Sequence, residues 1–299
     1  MKNETTAKRV KPIKKRGSIA PYLFLLPAML LFALFVFFPF VKTVLFSFTI
    51  TDARGNPLQF VGLENYIKLF TSSQFLNSLF RTFIFAFMVG IPTFIIGYFL
   101  AAMATEKVKG SRIYEVLYSL PMAVASAPAA VIWFVLLSPG KNGIVNFLLG
   151  TEIRWLLDAK YAIWGVALVT VWLSIGANFI FLLTGFRNVP DDIIESARID
   201  GAGYFTRLFR IITPIASPQI FFVVFLNIVS SFQAFAQVRL LTQGGPSYTT
   251  NVLVYSIYMS AIRNSRYETA FAQSVVLFII ILVITLIQFA TEDKVVYYQ

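Results

Sequence analysis

The sequence predicts an all-α polytopic membrane protein with six transmembrane helices, and three observations carry that prediction. Of 299 residues, 58% are hydrophobic and 13% charged, with a mean hydropathy of +0.74, too apolar for a soluble globule. Six apolar runs recur at 20–48, 78–104, 114–138, 161–184, 218–239 and 268–290, each near the roughly 20 residues that cross a bilayer. With the N-terminus placed in the cytoplasm, the inside segments are the tail, 105–113, 185–217 and 291–299. These hold 7, 3, 4 and 1 Lys or Arg, fifteen of the chain's 25, the asymmetry of the positive-inside rule.

The chain begins with a basic tail, 1–19, in which Lys2, Lys8, Arg9, Lys11, Lys14, Lys15 and Arg16 precede the first run. The net charge of +11 would suit nucleic acid, but a tail of this kind belongs beside anionic lipid at a cytoplasmic N-terminus. The first run is too long for a signal-peptide core and leads into further spans, so it is read as an uncleaved first helix. The six spans form one domain, 20–290, followed by a short cytoplasmic tail, 291–299.

The first external segment, Thr49 to Ser73, contains Phe60-Val61-Gly62-Leu63-Glu64-Asn65-Tyr66, a turn leading into a short amphipathic piece. Span three carries Pro121 and Pro128 among small residues. Such a stretch suits a bend beside a cavity or, the reading adopted, close helix packing. After it comes an external segment with an Asn142-Gly143 turn and Trp155 at interfacial depth.

Between spans four and five lies the one long polar insert, 185–217. Its residues 190–214 read as two short helices about a glycine turn. Pro190 suits a first turn, and Asp191 and Asp192 place negative charge at the positive end of the helix dipole. The run Asp200-Gly201-Ala202-Gly203 stops that helix. In the second helix Tyr204, Phe205, Leu208, Phe209 and Ile212 share one apolar face, with Arg207 and Arg210 pointing elsewhere, and Pro214 marks its end.

Here Glu195, Ser196, Ala197, Gly201, Ile211 and Pro214 fit the spacing E-A-A, three residues, G, nine residues, I-x-L-P. The chain thereby resembles the integral-membrane subunits of bacterial ATP-binding-cassette importers, with Ser196 in place of the second motif residue and Thr213 in place of the leucine. The resemblance implies the type I ABC importer permease fold and gives the insert, Asp200 included, the role of coupling to an ATPase subunit. In mechanical terms Gly201 allows the turn, Glu195 fixes the first helix through polar contacts, and the Tyr204 to Ile212 face docks on neighbouring surfaces. The Phe60 to Tyr66 stretch and the Asn142 to Trp155 segment are similar to the carbohydrate-uptake branch of that family.

Span five ends in Leu240-Leu241-Thr242-Gln243-Gly244-Gly245-Pro246-Ser247. Its Gly-Gly-Pro turn closes the helix, and the segment from Thr250 through Tyr255 and Tyr258 reads as an external helix lying along the surface. An L-T-x-G-G-P signature about 45 residues after the insert again resembles sugar-importer permeases. Uncharged polar residues sit deep in spans four and five: Trp172, Ser174 and Asn178, then Asn227, Ser230, Ser231, Gln233 and Gln237. Amides and hydroxyls beside aromatic rings suit a neutral sugar, while interhelical hydrogen bonding is the alternative for each of them.

The sequence also excludes chemistry. With no Cys and no His there is no thiol, imidazole metal site or His acid-base catalysis, and no metal site or catalytic residue is expected. No G-x-x-x-x-G-K-[ST] occurs, so ATP and Mg are expected in a partner subunit and no cofactor in this chain. Lys42, Arg81, Glu115, Arg239 and Glu268 lie toward span ends, which argues against an ion-driven carrier with a midplane carboxylate.

The expected function is the permease subunit of an ATP-driven importer of a sugar or oligosaccharide in a bacterial cell membrane, not an enzyme. The resemblance implies as partners a second homologous permease, two cytoplasmic ATPase subunits and an extracytoplasmic substrate-binding protein. The same machinery importing glycerol phosphate or another small anionic solute is the alternative, for which only Arg81 and Arg239 are placed to meet an anion. A passive channel or a membrane enzyme are the readings from other classes.

Overall fold

The computed structural model of the chain describes residues 20–106 and 110–297. The basic residues of the predicted N-terminal tail lie outside them. The chain divides into two compact units, Met1–Leu45 and Phe46–Gln299. The first consists, among the described residues, of helix α1, Tyr22–Phe46, apolar along its length and carrying Pro27 and one π-helical turn, Ala33–Phe37. Its Phe46 end passes into the second unit.

The second unit opens with a small antiparallel ribbon that the sequence reading did not foresee, β1 Thr49–Thr51 with β2 Pro57–Phe60, Thr49 facing Phe60. The Asp52 carboxylate closes its turn by accepting the N–H groups of Arg54 and Asn56, each at 2.8 Å. Helix α2, Glu64–Thr71, is the expected amphipathic piece. Buried Asn65 stitches it to the ribbon, donating to the Ser47 and Thr49 carbonyls at 2.9 Å.

Helix α3, Ser73–Thr105, is longer than the predicted second span and lies against α7, Ala162–Arg187. Its buried stripe includes Thr93, Gly97, Ala101 and Ala104, the small residues that let membrane helices approach. A Cβ at Gly97 would stand 2.9 Å from the Asn178 Cβ on α7, so the contact is closed to any larger side chain.

The predicted third span is broken. It consists of α4, Ser111–Ala123, and α5, Ser126–Leu136, bent by 102° at Val124 and Ala125. Pro128 fits the first turn of α5, where an N–H would have no intrahelical partner. The stretch read as close packing therefore holds a bend as well. Both readings meet at Gly176 of α7, where a Cβ would come 2.9 Å from the Ser119 carbonyl oxygen and 3.0 Å from the Met122 Cβ.

After the short helix α6, Ile144–Leu149, and α7 come the two helices of the insert, α8 Asp191–Ile199 and α9 Tyr204–Arg207. The predicted fifth span is α10, Ser217–Phe232, continued by α11, Ala236–Leu241. Helix α12, Leu253–Tyr258, extends through a π turn, Met259–Arg263, and α13, Tyr267–Ala290, is the last span. The expectation that the segment after Thr250 lies along the surface is overturned. Leu253 is fully buried, Tyr255 and Ser256 are nearly so, and the Leu253 N–H is bonded at 2.7 Å to the Thr82 hydroxyl of α3. Its apolar residues are core residues, which a surface-helix pattern imitates.

The chain's far end returns to the insert. After α14, Glu292–Val295, the Tyr297 N–H donates to Ser217 Oγ at 2.7 Å, at the first residue of α10.

Candidate functional site

Local sequence builds the insert as expected. Helix α8 ends in the two reverse bonds of a Schellman motif, Ala202 N–H to the Ala197 carbonyl at 2.9 Å and Gly201 N–H to the Arg198 carbonyl at 3.0 Å. That geometry needs a left-handed residue, and Gly201 supplies it at φ +79°. Nothing lies within 4 Å of where its Cβ would be. Helix α9 runs into a π turn, Leu208–Ile212, and the Thr213 hydroxyl donates back to the Leu208 carbonyl at 2.7 Å.

The apolar face of α9 does two jobs instead of one. Leu208 and Ile212 are buried against α3 and α7 with Tyr204 beside them. Phe205 and Phe209 are exposed, their rings stacked with centroids 6.4 Å apart. Ile199, 87% exposed at the end of α8, adds to this apolar outer surface. Burial raises the Tyr204 phenol, and the nearby Glu106 and Tyr98 push it the same way, so it stays neutral near physiological pH.

Polar contacts anchor the insert, but not through the residue expected. Glu195 is exposed and has no hydrogen bond or ion pair among the described residues. Glu106, just past α3, takes that role. Its Oε1 meets Arg207 Nη2 at 2.8 Å and Arg198 Nη2 at 3.5 Å, and Arg207 Nη1 donates to the Ala202 carbonyl at 2.8 Å. Arg207 thus joins the Glu106 carboxylate to the glycine turn. A second anchor joins α4 to α7, where Arg187 grips both oxygens of Glu115 at 2.6 and 3.2 Å and donates to the Ala104 carbonyl at 3.0 Å. A cavity of about 590 Å³ lies between the insert and the helix ends, lined by Glu106, Asp191, Glu195, Arg198 and Arg207 among others.

Of the remaining motif residues, Ala197 is buried, Ile211 half-buried, and Ser196, Asp200 and Pro214 exposed. Of the motif residues, then, Ala197 packs inward while Glu195, Ser196, Asp200, Gly201 and Pro214 form an outward surface. Sequence reasoning missed Glu106 and Tyr98, which lie 101 and 115 positions from their partners Arg207 and Thr213. A carboxylate ending a span opposite a loop arginine was the only available signal.

The deep polar residues do not converge on one surface. Asn178 and Asn227 are buried and bond to each other reciprocally, Asn178 Nδ2 reaching Asn227 Oδ1 at 3.0 Å. The Asn178 amide also donates to the Ser174 carbonyl at 3.0 Å. Ser231 is buried. Trp172 packs edge-on against Trp133, centroids 5.7 Å apart. Ser230 on α10 and Gln233 in the break after it are exposed, and Gln237 on α11 is half-exposed. Helix pairing therefore claims Asn178 and Asn227, leaving Ser230, Gln233 and Gln237 with open faces.

Comparison with known proteins agrees with this architecture. Residues 66–296 match the family described as binding-protein-dependent transport system inner membrane component. The sn-glycerol-3-phosphate transport system permease protein UgpA of Yersinia enterocolitica is 37% identical over 282 residues, 93% of this chain and 96% of the relative. That of Pectobacterium atrosepticum is 36% identical over 287 residues, 95% and 97% of the two chains. A chain of a bacterial ABC transporter involved in import of the acidic polysaccharide alginate superposes with a TM-score of 0.81 at 21% identity, covering 93% of this chain and 96% of that one. A chain of the MetNI methionine ABC transporter gives a TM-score of 0.57 at 14% identity, covering 78% and 99%. The chain has the type I importer permease fold and belongs to the family of binding-protein-dependent transport system inner membrane components, as a membrane-spanning transport subunit and not an enzyme.

Proposed function

We propose that this subunit forms part of the pathway by which a sugar or its phosphate ester enters a bacterial cell, driven by ATP hydrolysed in separate subunits. The observation that carries the reading is the insert. It is rooted in the bundle through Arg207 and Glu106, while Ile199, Phe205 and the outer part of Phe209 are left exposed by the described residues. A cleft on a cytoplasmic ATPase fits that surface, and Glu195, Ser196 and Asp200 supply its polar rim. ATP and Mg belong to that ATPase. In this reading both termini and the insert are cytoplasmic, two ATPases and a second, homologous permease complete the membrane assembly, and an extracytoplasmic binding protein delivers the solute.

Two solute classes fit. A neutral saccharide suits the open amides of Gln233 and Gln237 beside the Ser230 hydroxyl, which donates to the Asn227 carbonyl at 3.1 Å and is left as an acceptor. A phosphorylated polyol is favoured by the likeness to the glycerol phosphate permeases and by Arg239, exposed and 4.9 Å from the Tyr258 ring, where it can face an anion. Co-purification with the genomic neighbours, followed by ATPase assay with the binding protein and a panel of sugars and sugar phosphates, tests the reading. Solute-stimulated hydrolysis is expected. A chain that never associates with an ATPase would refute it.

A further inference from the structure

A second cavity, of about 550 Å³, opens where α3 begins. Helix α3 has 33 residues, so at 1.5 Å per residue this cavity lies roughly 50 Å from the insert, on the other side of the membrane. It is walled by α2, α12, the start of α13 and the Gly244 loop.

Three features mark it as a built site. Asn251 lines it with only 5% of its surface exposed, and its side-chain amide has no hydrogen-bond partner among the described residues. The amide atoms are not sealed in the protein but reached from the cavity, so they can bond a hydroxyl that enters it. Next, the four non-glycine residues with positive φ among the described residues are Gln243, Ser247, Tyr248 and Ser265, at 50°, 51°, 60° and 52°. All four lie on the two segments bordering this cavity, and backbone strain of this kind gathers at ligand clamps. The strained loop is fixed from within. Thr250 Oγ1 donates to the Gly245 carbonyl at 2.8 Å, the Thr242 and Thr250 hydroxyls stand 2.7 Å apart, and Thr249 Oγ1 reaches the Pro246 carbonyl at 2.7 Å. Gly244 sits so close to Tyr255 that a Cβ would stand 2.7 Å from its ring.

The lining mixes apolar residues such as Leu69, Phe75 and Met259 with hydrogen-bonding and charged groups. Amides of Gln243, Asn251 and Asn264, the Tyr248 ring and the Glu268 carboxylate, whose Oε2 already accepts from Thr51 at 2.8 Å, surround the space. Amides and carboxylates pair with vicinal hydroxyls, and an aromatic face packs on a sugar ring. Arg266 adds a guanidinium suited to an acidic substituent. The volume lies within the range of small-ligand sites.

We propose that this cavity binds one saccharide unit on the outer face, separately from the membrane pathway, with Asn251 reading a hydroxyl and Arg266 admitting an acidic sugar. The choice of saccharide rests on the import function proposed above; the existence of the site does not.

The test uses the assembled transporter in lipid nanodiscs without its binding protein, with maltotriose and trigalacturonate as probes and saturation-transfer NMR as the readout. Both probes are expected to bind the unaltered complex. N251A should weaken both about tenfold, the loss of one buried hydrogen bond. R266A, at an exposed residue whose loss spares folding, should weaken trigalacturonate about tenfold and leave maltotriose unchanged. Equal binding by all three forms would overturn the site, and intact binding-protein-driven ATPase response to sugar would show that import survives that failure. Absence of probe binding together with crosslinking of the binding protein at position 251 would make the cavity a protein contact and also overturn it. If no sugar stimulates ATPase while N251A still blocks probe binding, the import reading falls and the site stands.

Discussion

The hydroxyls of Tyr98 and Thr213 lie 2.5 Å apart, joining the long helix α3 to the end of the insert. Thr213 spends its single proton on the Leu208 carbonyl, so Tyr98 is the donor between them. Phe186 and Phe209 flank the Tyr98 ring, the first edge-on and the second stacked. Y98F removes one hydrogen bond and should cost about 1 kcal/mol. T213V leaves the buried phenol unsatisfied and should cost more, about 1–3 kcal/mol. Thermal denaturation of the purified complex checks the order; equal melting temperatures for the two variants would count against it.

Gly201 sits at φ +79° in open space. A side chain there is opposed by backbone conformation and not by a clash, at about 1–2 kcal/mol for most residues. Asn tolerates the left-handed region. G201N is therefore expected to transport nearly normally, and G201V to reach the membrane but lose most uptake. If both variants fail alike, the surface and not the turn is what matters at this position.

The Glu106 and Arg207 pair is partly buried on the arginine side, 14% exposed against 41% for the glutamate. Solvent screening of that carboxylate limits its worth, and a double-mutant cycle between E106Q and R207Q should return a coupling of about 1 kcal/mol in stability. The larger effect is expected in function. With the insert loosened from α3, ATP hydrolysis should persist while uptake per ATP falls severalfold, measured in proteoliposomes.

Asn178 and Asn227 bond across α7 and α10. N178A leaves the Asn227 amide without its partner, N227A leaves Asn178 only the Ser174 carbonyl, and the double change strands neither. N178A and N227A should each destabilise by about 1–3 kcal/mol, and the double variant by clearly less than their sum. Additive losses would mean that the amides have separate partners.

The Asp52 carboxylate in the ribbon turn is held below the ordinary value of 3.8 by the Asn56 side-chain amide first, then by backbone N–H groups. A depressed carboxylate contributes fully above the ordinary value, and its contribution fades as pH falls through the lowered one. Amide protection factors in 52–57, corrected for the intrinsic pH dependence of exchange, should be higher at about pH 6 than at about pH 3, and D52N should blunt that difference.

How far the sequence carried depended on whether a signal was local. Apolar runs and loop charge located the spans, since a bilayer imposes length and composition on each helix independently. Gly201 was readable because a single residue type satisfies a left-handed turn. Glu195 misled, since a motif position does not reveal whether its side chain turns inward, and the anchor proved to be Glu106. Helix α12 was misplaced because tyrosines and aliphatics suit a membrane surface and a packed interior equally. Only the Thr82 hydroxyl, 171 residues earlier, decides between them, and no window along the chain contains both.

The 102° bend at Val124 and Ala125 constrains how the subunit meets its surroundings. A helix interrupted within a span leaves carbonyls at the end of one half and N–H groups at the start of the other without intrahelical partners. Hydrocarbon offers such groups nothing, and irregular backbone survives at that depth only against protein or water. A corner at that depth has to face protein or water and not acyl chains. It works as a compass mark, setting the rotation of the bundle about the membrane normal before any neighbouring subunit is placed.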